Sequence, residues 1–178
     1  MIRIISVAIL AAALLPAAPP AGPASLQSAV MKLEKSIDAR FTKLTPEEPF
    51  DLLGATRGVY IEGYGVVFTT ELSLITTPSV TPFRPVISKE EVIQLHRAKL
   101  RRLPLLRQIM REALVFTASS LEGMPPNEQV TVAVRIFYYS WEDKTGLPSQ
   151  IIMQAPRSSL AGKAADARLE ASIRVQEL

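Results

Sequence analysis

Residues 59–74, VYIEGYGVVFTTELSL, place Gly63-Tyr64-Gly65 between two apolar, β-branched runs. A glycine pair in that setting either holds a ligand or turns the chain. A dinucleotide-type loop needs a third glycine opening a helix. Here Val66, Val67 and Phe68 follow instead, and these are strand formers. The glycines are therefore expected to turn the chain, supplying the positive φ of a tight hairpin. Residues 57–61 and 66–75 become its two strands. In the second, Val66, Phe68, Thr70, Leu72 and Leu74 share one face, with Val67, Thr69, Glu71, Ser73 and Ile75 on the other.

A second hairpin follows the same logic. From Gln129 to Trp141, Val130, Val132, Val134, Ile136 and Tyr138 alternate with Thr131, Ala133, Arg135, Phe137, Tyr139 and Trp141. The stretch SWEDKTGLPS, residues 140–149, is a turn, and 150–155 return as a strand. Between the hairpins, Ser88 and Glu91 form a capping box that opens a helix over about 89–120. Val92, Leu95, Leu103, Leu106, Met110 and Ala113 line its apolar stripe, and Pro104 is expected to kink it. Pro78, Pro82 and Pro85 stiffen the exposed connection before it.

Upstream, Leu26, Val30, Leu33, Ile37, Phe41 and Leu44 recur at spacings of three and four, predicting an amphipathic helix over 25–44. Pro46 and Pro49 end it. Downstream, Ser158 or Ser159 caps a short helix through Ala165, and a terminal strand follows, with Leu169, Ala171, Ile173 and Val175 alternating. The expected class is α+β: an antiparallel sheet of two hairpins and a fifth terminal strand, with a long kinked helix between the hairpins and an N-terminal helix.

That element order resembles profilin-like and roadblock-type modules, which commonly act as dimerising or scaffold parts. The stretches RGVYIEGYGVVFT, MPPNEQVTVAV and FYYSWED also resemble a group of exported bacterial proteins of no assigned activity. The resemblance implies no catalytic residues.

The first 24 residues read as a signal peptide. Arg3 is a minimal positive start, Ile4–Leu15 is predominantly apolar, and Gly22-Pro23-Ala24 puts small residues before Ser25. Twelve residues are too few for a membrane span of roughly 20. The expectation is a single exported domain over 25–178, periplasmic or extracellular. Without Arg3 its 19 basic and 17 acidic residues leave 19 − 17 = +2, too little for general attraction to nucleic acid. The absence of cysteine excludes disulfides, thiol catalysis and thiolate metal sites.

Candidate sites are few. His96 is the only histidine, so a multi-histidine metal site is not expected, and no cofactor or metal is assigned. The enzymatic alternative is a hydrolase whose acid and base are Glu62 and Glu142, if both turns lie at one end of the sheet. The favoured reading is a non-enzymatic interaction module. Arg97, Arg101, Arg107 and Arg111 form a basic ridge opposite the apolar stripe, suited to an acidic envelope component. Phe137, Tyr139 and Trp141 form an aromatic face that is either covered by the first helix or terminal segment, or open to a protein partner or a second copy.

Overall fold

The structure, a computed structural model, describes residues 23–43, 49–77, 86–160 and 166–178. Residues 1–22 of the expected signal segment, Leu44 of the expected first helix and the proline-rich connection at 78–85 lie outside those residues, as do 161–165, whereas Pro23 and Ala24 are described and begin α1. The elements are α1 (Pro23–Lys43), β1 (Asp51–Leu52), β2 (Arg57–Ile61), β3 (Gly65–Ser73), α2 (Lys89–Ser120), β4 (Gln129–Ile136), β5 (Gln150–Pro156), α3 (Arg157–Leu160), α4 (Asp166–Ser172) and β6 (Arg174–Glu177). The class is α+β, and the described residues form six strands in one sheet.

Both hairpins form. β2 runs antiparallel to β3, and β4 antiparallel to β5, with β6 added along β5. Their junction corrects the antiparallel expectation. β3 and β4 pair in parallel from Gly65↔Gln129 to Leu72↔Ile136, so the sheet is mixed. The helix between them makes this possible. A parallel pair needs a long crossover, and 32-residue α2 carries the chain back along the sheet. The short β1 pairs with the far end of β3, beside β2.

The helices occupy one layer. α1 packs on β2 and α2, while α2 packs on β4 and β5. Phe68, Val132 and Met153 are successive partners across the sheet, and all three are buried under that layer. α1 contributes Leu26, Val30, Leu33, Ile37 and Phe41 to the same core, and α2 contributes Leu103, Leu106, Met110 and Ala113 as expected. Each fully buried aliphatic side chain is worth roughly 1.5–3 kcal/mol. Val92 and Leu95, at the start of the α2 stripe, are only half-buried.

The Ser88 capping box is present in full. α2 continues through Pro104 as one helix. Pro104 is exposed, as is Leu100, whose carbonyl loses its helical donor, so water can satisfy it. β4 stops at Ile136 rather than Trp141.

α1 also closes one sheet edge. Edge amides left open invite a further strand. The Gly58 amide donates to Glu34 Oε1 at 2.8 Å, and the Thr56 amide and hydroxyl donate to Asp38 Oδ1 at 2.9 and 2.5 Å.

Candidate functional site

The glycine turn is a strapped turn. Gly63 has φ 78° and Gly65 φ 130°. A Cβ at Gly65 would collide with the backbone of Gln129, so glycine here also permits the parallel approach of β4. Glu128, buried just before β4, accepts from the Gly63 amide at 3.1 Å and from the Tyr60 hydroxyl at 3.2 Å. The Gln129 amide donates to the Tyr64 carbonyl at 2.7 Å. Burial and the bond to Glu128 raise the Tyr60 hydroxyl above the ordinary tyrosine range. Glu128 sits two residues after the Pro125-Pro126 pair, and nothing in its spacing reveals this role.

Glu62 and Glu142 do not meet. The parallel pairing puts the β2–β3 turn at the start of β4, whereas Glu142 follows its end. Eight residues of β4 separate the turns by about 26 Å, at ~3.3 Å per residue. Glu142 is instead buried against Lys99 of α2, and its Oε1 accepts from the Tyr139 amide at 3.1 Å. Lys99 Nζ lies 4.9 Å from the Tyr138 ring centroid. Burial lowers the Lys99 ammonium from the usual lysine range, against the pull of Glu142. Burial first, then the Glu142 charge, raises the Tyr138 hydroxyl. This cluster fastens the 137–149 loop to α2. His96 adds a contact from Nδ1 to the Asp143 carbonyl at 3.1 Å.

The basic ridge is divided. Arg97 and Arg101 are exposed. Arg107 grips Glu177 with Nε–Oε1 at 2.7 Å and Nη2–Oε2 at 2.9 Å, a bidentate pair that holds the Glu177 carboxyl below the ordinary glutamate range. Arg111 Nε lies 3.2 Å from Glu170 Oε1. Two of the four arginines thus tie down the C-terminal segment. The aromatic residues are half-buried and pack mainly on one another: Phe137 meets Tyr139 edge-on at 5.1 Å, and Tyr139 stacks on Trp141 at 5.7 Å. Trp141 also lines a cavity with Gln94, Leu95 and Ala98, so the helix beside this end of the cluster is α2.

The face of the sheet turned away from the helices has two halves. Around the glycine turn it carries Val59, Ile61 and Tyr64, exposed at 52%, 48% and 40%, beside half-buried Val67. Tyr64 reaches across to Thr131, hydroxyl to hydroxyl at 3.4 Å. Towards the far end of β3 and β4 it carries Arg57, Glu71 and Arg135. The alternation that put Glu71 and Arg135 opposite the core was readable, but their adjacency required the parallel register.

Among the described residues, no group of three or more histidine, aspartate or glutamate side chains is placed to hold a metal ion. No described helix is long and apolar enough to cross a membrane. No family model, no curated protein and no solved structure matches this chain.

Proposed function

We propose that this chain is an exported, non-enzymatic interaction domain of the bacterial envelope, and that its docking surface is the apolar half of the open sheet face. The observation that carries this reading is the exposure of Val59, Ile61 and Tyr64 on a hairpin held on three sides. Glu128 straps the turn, while Glu34 and Asp38 hold the chain at Gly58 and Thr56. A rigid apolar surface loses little conformational entropy on binding. Arg57, opposite Thr69 at the other end of β2, gives the apolar patch a basic margin on one side. The partner that fits is a protein presenting aliphatic side chains bordered by acidic ones. Arg97 and Arg101, exposed on α2 in the helix layer, offer an acidic envelope component a separate electrostatic contact.

Site-specific photo-crosslinking in intact cells tests the reading. A crosslinker at Ile61 should capture one protein in the envelope fraction, and one at Met31, exposed on α1 in the helix layer, should not. Equal labelling from both positions, or none from Ile61, would contradict it.

A further inference from the structure

The charged half of the open face has its own chemistry. Glu71 and Arg135 are direct partners in the β3–β4 ladder, and Arg57 stands one strand further out, opposite Thr69. Neighbouring strands are about 4.8 Å apart and a two-residue step is about 6.6 Å, so both guanidinium groups can reach one ligand above Thr69 and Glu71. The side chains of Arg57, Glu71 and Arg135 make no hydrogen bond or ion pair with any described residue. They line two cavities that share Glu71 and Arg135. One, of about 310 Å³, extends to Leu53 and Arg57. The other, of about 430 Å³, extends to Phe137, Lys144 and Gln150. Together they form a groove of a size suited to a small molecule.

Three cations, Arg57, Arg135 and Lys144, face one carboxylate. Guanidinium groups take a carboxylate or phosphate in a bidentate grip. Glu71 repels a bare anion placed between them, yet it accepts strongly from hydroxyl groups. Thr69 and Gln150 supply further polar partners, and Phe137 gives one wall an aromatic edge. A ligand that satisfies every group brings both an anionic group and several hydroxyls. We infer that the groove binds an acidic saccharide, its carboxylate or phosphate held by Arg57 and Arg135 and its hydroxyls by Glu71.

Calorimetric titration of the folded domain with trigalacturonate, a sugar phosphate, neutral galactotriose and inorganic phosphate tests this. At least one acidic saccharide should bind, with the neutral trisaccharide and free phosphate each weaker by about tenfold or more, the scale of one charge-assisted contact. Whether the uronate or the sugar phosphate wins identifies the anionic group. Arg135→Gln and Arg57→Gln should each weaken acidic-saccharide binding by about tenfold. Glu71→Gln should weaken saccharide binding while strengthening that of phosphate, a reversal that a merely structural role would not produce. Chemical-shift changes on the unmodified protein should centre on residues 57, 71 and 135. Lack of binding by both acidic saccharides, phosphate binding as tightly as either, or indifference to the arginine substitutions would overturn the assignment. Ile61 lines neither cavity, so Ile61→Arg should leave saccharide affinity unchanged and the two readings can fail separately.

Discussion

Lys99 on α2 and Glu142 on the loop after β4, 43 residues apart in the chain, form an ion pair whose two side chains are each 1% exposed. The pair joins the helix layer to the loop that carries Tyr139 and Trp141. Glu142 divides its oxygens between the Lys99 ammonium and the Tyr139 amide, so both are engaged.

Removing one partner strands the other charge in the core. Glu142→Gln or Lys99→Met should therefore cost about 3–5 kcal/mol in denaturant unfolding, while the double replacement Lys99→Met with Glu142→Leu should cost much less. Equal costs for the single and double variants would show that the charges do not depend on one another.

The two turn glycines differ in kind. Gly63 has a positive φ with open space around it, so Gly63→Ala should cost about 1 kcal/mol, and Asn at the same site less. At Gly65 a new Cβ would also meet the Gln129 backbone, so Gly65→Ala should cost about 3 kcal/mol or more and disturb the β3–β4 pairing. Urea denaturation of the three variants checks the order.

Much of this was legible before the structure. The alternation at Val66, Phe68, Thr70, Leu72 and Leu74 marks the core face of β3, and the residues after Gly65 show that the glycines turn the chain. The direction of pairing was not legible, because alternation looks the same in parallel and antiparallel strands. With that direction went the separation of Glu62 from Glu142. Lys99 lies between Arg97 and Arg101 in the sequence, and charge alone does not report depth. Its position was the signal: Leu95, Lys99, Leu103 and Leu106 follow one another at helical spacing on the apolar stripe. The contacts of Arg107 and Arg111 with Glu177 and Glu170 depend on where the C-terminal segment returns, which no local pattern encodes.

The Arg107–Glu177 pair makes the hold on β6 sensitive to acid. The Glu177 carboxyl lies below its ordinary value of 4.5 in the folded chain. Its contribution is therefore present above the unfolded value and lost as pH falls through the lower folded one. The Leu178 amide, which donates to the Gln150 carbonyl at 3.0 Å, should lose hydrogen-exchange protection in that acid range before the β3–β4 amides do. Arg107→Gln should produce the same loss at neutral pH, whereas Arg97→Gln with Arg101→Gln should change global stability by no more than about 0.5 kcal/mol. Uniform protection of β6 across the acid range would contradict the pair's role.

A docking surface at Val59, Ile61 and Tyr64 is tested most directly by the affinity of the crosslinked partner for Ile61→Arg. Burying an unpaired guanidinium in an apolar contact should weaken binding by at least about 2 kcal/mol, roughly thirtyfold, with the melting temperature unchanged because Ile61 lies outside the core. Met31→Arg, on α1 in the helix layer, should leave the affinity as it was. Equal affinities for the unmodified protein and Ile61→Arg would place the docking surface elsewhere and contradict the account.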